Sequence, residues 1–328
     1  MARIFAYIVH KDGIAADSAA ELAAAARKID AAAPLTAVLT GWGPDLDAAC
    51  NTFGDSYAEV WKIANEVLAY PNAELVRKAL QKVLPSNSIV LIAHEHFGID
   101  LAPGLSIKTN SAFVSDVLDI AGVEGAYMNV VRQEFGGQVS THIRCDISSG
   151  AVLTIRPGTF RGTEISTGRG LVVDKSAEVG SLAAGRRYLE TVVAEAGAVD
   201  ITKYNVLVSI GRGIQEKDNV AIALELAEAM GAAVSCSRPV VDAKWMEKSR
   251  QVGSSGKTVK PKVYLACGIS GAFQHLAGIK GSPFLIAINK NPKAPIFQVA
   301  DVGIVDDILE FLPELTNKVR EMRNVAAK

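Results

Sequence analysis

The sequence predicts an α/β protein of two domains, the second built on a parallel sheet of doubly wound type. Three observations carry that prediction. Strand-length apolar runs recur along the chain, as at 89–93 (IVLIA) and 284–288 (FLIAI). Stretches with apolar residues at helical spacing lie between them. At 328 residues the chain exceeds one compact core and suits two. Short buried runs separated by helices favour parallel strands joined by right-handed crossovers.

In the first half, residues 4–9 read as a strand and 18–29 as an Ala-rich helix with Leu22 and Ala26 on one face. Residues 36–40, 59–63 and 88–93 read as further strands, and 73–83 as a helix carrying Leu75, Val76, Leu80 and Val83. Lys11-Asp12-Gly13 reads as a turn, and Trp42 and Trp61 as packing residues. From about Ala126, strand-like stretches such as 139–144 and 151–155 alternate with Gly-containing turns and should extend or flank the first sheet. A polar stretch, 186–203, joins the halves and is expected to contain a helix; the domains are placed at 1–200 and 201–328.

The second half restarts the alternation. Residues 205–210 read as a strand, Gly211-Arg212-Gly213 as a tight turn and 217–230 as an amphipathic helix. Strands follow at 232–236, 263–267, 284–288 and 296–299, then helix at 306–312 and 314–322, broken at Pro313.

Composition excludes several classes. Hydrophobic residues make up 49% and charged residues 21%, as in an ordinary globular protein. A net charge of −1 supplies no general attraction to nucleic acid or anionic membranes. The apolar runs are too short to span a bilayer. The N-terminus carries neither a secretory nor a transit pattern, so a cytoplasmic protein is expected. Cys50, Cys145, Cys236 and Cys267 form no C-x-x-C pair and are expected to be buried. His94-Glu95-His96 lacks an evident third ligand, so it reads as a polar loop and no metal site is expected.

Candidate chemistry concentrates in four Gly- or Ser-rich loops of the second half, where open α/β sheets bind ligands beyond the carboxyl ends of their strands. Ser209–Ile214 (SIGRGI) lets the backbone approach a phosphate, yet alone it reads equally as a tight turn with a surface arginine. In SCSRP, the permanent charge of Arg238 can lie against an aromatic ring or form a surface salt bridge. In QVGSSGKT, the spacing from Gly253 to Gly256-Lys257-Thr258 is two residues shorter than in a P-loop, which disfavours triphosphate hydrolysis. That loop is left as a donor of hydroxyls and N–H groups or as a surface linker. GISGAFQHLAG turns through Gly268 and Gly271 and should start a helix able to face a pyrophosphate, with Ser270 adding a hydroxyl. His275 lies about one turn into that helix, too early for deep burial.

Together these segments resemble the α subunits of electron transfer flavoproteins. The resemblance runs in order through VSIGRGI, SCSRPVVDA, QVGSSGKTV, YLACGISGAFQHLAG, AINKNPKAPIFQVADVGIVDD and FLPELT, across residues 205–316. It is looser in the first half, where TIRPGTF (154–160) matches. It implies FAD in the C-terminal domain and a separate β subunit completing a heterodimer, with the first half as scaffold for that pairing. By motif, the cofactor site would be lined by Arg212, Ser237, Arg238, Val252, Gly253, Ser254, Ser255, Ser270, Gly271, Ala272, Phe273, Gln274, His275, Asn289 and Asp307. Arg238, Ser255 and His275 would lie around the isoalloxazine ring, the Ser270 turn at the diphosphate, and Asn289 and Asp307 at the adenosine end.

A cation beside the ring favours its reduced, anionic form, so Arg238 is expected to raise the potential. The implied role is an electron carrier rather than an enzyme, taking electrons from acyl-CoA or other dehydrogenases, as in fatty acid β-oxidation, and delivering them to a quinone reductase. An NADH-dependent bifurcating complex is the alternative. A dehydrogenase using NAD is disfavoured because no G-x-G-x-x-G precedes an acidic residue. The chain departs from the family in two places: Ser254-Ser255 stand where Gln-Thr is usual, and Lys244 where glycine is usual.

Overall fold

The computed structural model describes residues 3–53, 56–160, 171–186, 188–190, 199–281 and 283–326. The chain divides into two compact units, Met1–Glu190 and Thr191–Lys328.

The N-terminal unit contains β1 (Ile4–Tyr7), β2 (His10–Lys11), β3 (Ile14–Ala15), α1 (Ser18–Ile29), β4 (Leu35–Gly41), α2 (Gly43–Cys50), β5 (Glu59–Ala64), α3 (Ala73–Val83), β6 (Ile89–Ala93), α4 (His96–Thr109), β7 (Ala112–Glu124), β8 (Tyr127–Glu134), β9 (Val139–Asp146), β10 (Ala151–Ile155), β11 (Leu171–Asp174) and α5 (Ser176–Val179). Nine strands form one sheet in the order β11-β5-β4-β1-β6-β10-β7-β8-β9. Pairing is parallel from β11 to β7, and β8 and β9 continue it as an antiparallel extension. Alternation decides which face each residue serves. Ile4 and Ala6 join Leu22 and Ala26 in one core layer, whereas Phe5 and Tyr7 join Leu75, Leu80 and Leu101 in the other. Both faces are covered, so β1 is apolar throughout rather than alternating.

Residues 94–96 are not simply a loop, because His96 opens α4. That helix is hard to read from sequence because Gly98, Pro103 and Gly104 interrupt it. Gly98 is required nonetheless: any Cβ there would collide with the Ala93 carbonyl. Trp42 is 53% exposed, because its extended backbone precedes α2 and turns the ring outward. Trp61 packs as expected, 5.0 Å from the Phe5 ring. The helix expected within 186–203 falls largely outside the described residues; of that stretch, Ile201–Lys203 forms a 3-10 turn. All four cysteines are buried, and burial pushes the Cys50, Cys236 and Cys267 thiols up to about 12.

The C-terminal unit contains β12 (Val206–Ile210), α6 (Val220–Met230), β13 (Ala233–Cys236), α7 (Arg238–Asp242), β14 (Val263–Cys267), α8 (Phe273–Leu276), β15 (Phe284–Ile288), β16 (Val302–Ile304) and α9 (Ile308–Ala326). Five parallel strands run in the order β13-β12-β14-β15-β16. On one face, Val208, Ile210, Leu265 and Ile288 pack with Ala223 and Leu226 of α6 and Ile308 and Leu312 of α9. On the other, Leu207, Tyr264 and Ala287 are covered by Val252, Val259, Ile269 and Ile296, which belong to loops and short turns.

Residues 296–299 are not a strand. Pro295 opens a 3-10 turn, Ile296 is buried, and its N–H bonds the Ser270 carbonyl at 3.0 Å instead of a ladder partner. The fifth strand lies six residues later, starting at Val302. Pro313 does not break α9 either. An internal proline costs about 3 kcal/mol, but burial of Leu312 and Thr316 on both sides holds the helix together. The Thr316 hydroxyl also donates to the Leu312 carbonyl at 2.8 Å.

Candidate functional site: the carboxyl ends of the second sheet

β12 comes first in sequence yet lies inside the sheet, with β13 on one side and β14 on the other. The winding direction therefore reverses between β12 and β14, and a crevice opens where their following loops diverge. The first and fourth predicted loops occupy that position. Gly211 donates to the Cys267 carbonyl at 2.8 Å and Gly213 to the Gly268 carbonyl at 3.1 Å. A Cβ on Gly211 would collide with the Gly268 carbonyl. One on Gly268, whose φ is +64, would stand 2.7 Å from Gly213 Cα. Only glycines let the two turns touch backbone to backbone, and Arg212 is left exposed beside them.

The second loop follows β13. Ser237 is buried and its N–H bonds the Ile210 carbonyl at 3.0 Å. Arg238 begins α7 with its side chain 69% exposed, Nε 3.4 Å from Asp242 Oδ2. The third loop is clamped between the second and fourth. Val252 donates to the Cys236 carbonyl at 2.9 Å and Ser254 to the Gln274 carbonyl at 2.7 Å. Val252 and Gly253 are buried while Ser254 and Ser255 face solvent. Gln251, which nothing in the sequence marks as functional, is buried, and its amide donates to Ser255 Oγ at 2.8 Å. That bond supplies the rotamer restraint a threonine methyl would otherwise give.

In the fourth loop, Ser270, Ala272 and Gln274 are exposed, Phe273 is half-buried, and Gly271 packs its backbone on Ile296. Helix α8 runs only four residues, because Gly278 meets the Gly253 backbone and the chain turns away. Asn289, after β15, donates to the Ile269 carbonyl at 2.9 Å and accepts from the Asn291 N–H at 2.9 Å, bracing two loops. Asp307 ends the segment after β16, paired with Lys290 at 2.5 Å. The Lys290 ammonium, and then the Leu309 N–H, hold its carboxyl below the usual range.

His275 departs from expectation. It is 5% exposed, and burial pushes its imidazole down to about 4, so the ring is neutral at physiological pH. The turn that carries it lies over the loop-covered face of the sheet, so its ring enters the core within one residue of the exposed Gln274. There Nε2 lies 2.9 Å from the Tyr264 hydroxyl. His275 is thus a neutral buried ring, whereas Arg238 is an exposed cation.

Lys244 lies just beyond the end of α7. Its φ is +60, and its N–H bonds the Val241 carbonyl at 2.8 Å where the chain leaves α7. This is the left-handed exit that glycine adopts without strain.

Residues 4–180 match the electron transfer flavoprotein domain, and residues 200–280 the electron transfer flavoprotein FAD-binding domain. An electron transfer flavoprotein subunit alpha of Thermoanaerobacterium thermosaccharolyticum is 34% identical over 267 residues, covering 80% of this chain and 81% of that one. The chain belongs to the electron transfer flavoprotein α-subunit family. A second member, from Methylophilus methylotrophus, is 41% identical over 230 residues, 70% of each chain. A third relative is subunit LctC of lactate dehydrogenase (NAD(+),ferredoxin) from Acetobacterium woodii, 33% identical over 255 residues. That match covers 77% of this chain and 60% of LctC. The C-terminal unit is thus the FAD-binding domain of an electron-transfer protein, and its donor set suits that cofactor. Glycine turns in backbone contact, two exposed guanidinium groups and exposed serine hydroxyls gather at one sheet edge. Among the described residues no helix is long and apolar enough to cross a membrane.

Proposed function

We propose that this chain pairs with a β subunit and carries electrons from a dehydrogenase of the acyl-CoA class to a quinone reductase, through FAD held at the carboxyl edge of its five-stranded sheet. The observation that carries this reading is the convergence of five strand-end segments on that edge, clamped by hydrogen bonds from Val252, Ser254 and Asn289. Bound FAD supplies the one- and two-electron redox chemistry.

The chain's own residues bind and bias. Ser270 and the N–H groups around Gly271 and Ala272 face the diphosphate, and Arg212 adds charge there. Asn289 and Asp307 hold the adenosine end, Asp307 already fixed by Lys290. Ser255, oriented by Gln251, presents its hydroxyl to the ring. Arg238 sets a permanent positive charge beside the ring and favours its reduced anion. The N-terminal unit is the scaffold for pairing with β.

The test is co-expression with a β subunit, cofactor extraction and redox titration. FAD should be retained near-stoichiometrically, and Arg238→Ala should lower the one-electron potential by about 60 mV, the equivalent of a tenfold change. Protein purified without flavin, or an unchanged potential, would sink the reading or that role respectively.

The likeness to LctC favours a second reading, an NADH-dependent bifurcating complex. Two flavins per heterodimer together with NADH oxidation would select it over the simple carrier.

A further inference from the structure

The buried polar groups beneath the third and fourth loops form a chain that the proposed roles above do not use. Tyr264 lies within β14 with its ring fully buried, and its hydroxyl donates to Ser209 Oγ at 2.7 Å. The same oxygen lies 2.9 Å from His275 Nε2. A phenol has one proton. Once that proton is given to Ser209, the oxygen can only accept from the imidazole. Nδ1 is buried and has no hydrogen-bond partner among the described residues; the nearby Val252 backbone is the acceptor that competes for the ring proton, and the Tyr264 hydroxyl is the one in hydrogen-bond geometry.

We infer that Tyr264 is a positioning residue of the flavin site: held by Ser209, its hydroxyl accepts the Nε2 proton of His275 and fixes that ring in the Nε2–H tautomer. The consequence reaches the cofactor loop through the main chain. Gln274, the neighbour of His275, accepts the Ser254 N–H. A Cβ on Gly253 would stand 2.8 Å from the Gln274 carbonyl and 3.4 Å from His275 Cα. The two segments are thus in backbone contact, and pinning the ring pins Ser254 and Ser255. The latch carries no net charge, so it orders the loop without adding a second cation beside Arg238. This inference rests on the reading that the loop faces the flavin.

The test uses the flavin-loaded heterodimer labelled with ring-15N histidine. The chain has five histidines, and a His275→Asn spectrum assigns the resonance. His275 should show a protonated Nε2 and an unprotonated Nδ1. Tyr264→Phe should abolish that single-tautomer signature and, because the orphaned imidazole no longer holds the loop, raise the flavin release rate roughly tenfold. A second variant covers the case in which Tyr264→Phe does not fold. Ser209→Ala/Ser235→Ala removes the hydroxyls beside the phenol, so the tyrosine proton turns to Nε2 and the histidine switches to Nδ1–H. A wild-type ring protonated on Nδ1, a double variant that keeps Nε2–H, or Tyr264→Phe with unchanged spectrum and release rate would overturn the inference. Wild-type protein without flavin would instead overturn the proposed function, since the tautomer is read either way.

Discussion

At the carboxyl ends of β6 and β10 in the N-terminal unit, the polar groups satisfy one another; at the corresponding ends of β12 and β14 in the C-terminal unit, they face outward. His94 Nδ1 lies 2.8 Å from Thr154 Oγ1, and Arg156 grips Asp116 at 2.8 and 2.5 Å while its third nitrogen reaches Gln133 at 2.8 Å. Burial alone would raise the Asp116 carboxyl, but the Arg156 hydrogen bond, with His94 and Arg132, outweighs it and holds it below the usual range. Between the turns after β12 and β14, glycine backbones meet where such pairs stood in the first sheet, and Arg212, Arg238, Ser254, Ser255 and Ser270 are exposed. One edge has spent its charges on holding three strands together, and the other presents hydroxyls, guanidinium groups and backbone to a ligand.

The largest effect that could break this contrast lies at Gly211. In Gly211→Val the side chain collides with the Gly268 carbonyl, and neither turn can retreat because each is bonded to the other. Loss of ~3 kcal/mol and of bound flavin is expected. Gly211 has an ordinary φ of −107, so its cost is steric; Gly125→Ala in the N-terminal unit is the converse case, with a φ of +62 and open space around it, so only the ~1 kcal/mol of backbone strain is expected. Denaturant midpoints and flavin content check both. Equal losses would show that the Gly211 contact is not special.

Next in size is an acid sensitivity of the flavin-bearing unit. His275 has an ordinary pKa of 6.5 and a folded value of about 4. The unfolded chain therefore binds more protons throughout that window. Stability is fully present above pH 6.5 and falls as the pH drops toward 4, by on the order of 3 kcal/mol at about 1.4 kcal/mol per unit. Carboxylates add their own acid loss, and burial also lowers the His94 imidazole. The measurement is thus the difference in pH-dependence between wild type and His275→Asn, which should have the shallower slope. Parallel curves would show that the ring titrates normally.

Much of this contrast was legible in sequence where a single local rule decides the outcome. Residues 18–29, 73–83, 151–155, 263–267 and 284–288 appear as read, because period and burial agree there. The failures have a common cause in tertiary contacts. Helix α4 survives its glycines because they accommodate the Ala93 carbonyl and the Arg77 guanidinium. Residues 296–299 look like a strand but serve as a turn whose Ile296 covers the sheet. His275 is polar and near a helix start, which suggests exposure, yet its partners Tyr264 and Ser209 lie 11 residues and farther away in sequence. The order of the loops was readable; which polar group turns inward was not, because that depends on which strand lies beneath it.

A smaller effect tests the closed edge. Arg156→Met should strand the half-buried Asp116 carboxylate and lower the stability of the N-terminal unit by about 1–2 kcal/mol. Because these groups are part of the strand framework, flavin content and potential of the heterodimer should remain those of wild type. A potential that moved with Arg156→Met would mean that the edge does more than brace strands.

The smallest expected effect compares two residues with the same backbone strain. Asp116 and Lys244 both have a φ of +60. The Asp116 conformation is secured from both sides: its N–H bonds Thr154 Oγ1 at 2.9 Å and its carboxylate is gripped by Arg156. Lys244 is exposed, and its N–H bond to the Val241 carbonyl is one any residue supplies. Glycine at 244 therefore relieves strain and, among the described residues, loses no side-chain hydrogen bond or ion pair. Its extra freedom in the unfolded chain offsets part of the gain, leaving about 0.5–1 kcal/mol of stabilisation. Lys244→Ala keeps the strain while removing the charge and should leave stability unchanged, separating conformation from electrostatics. Asp116→Gly should move the opposite way, losing the ion pair along with the strain. If Lys244→Gly were neutral and Lys244→Ala destabilising, the lysine would owe its place to a contact of its side chain, and the left-handed exit would not be the reason glycine suits that position.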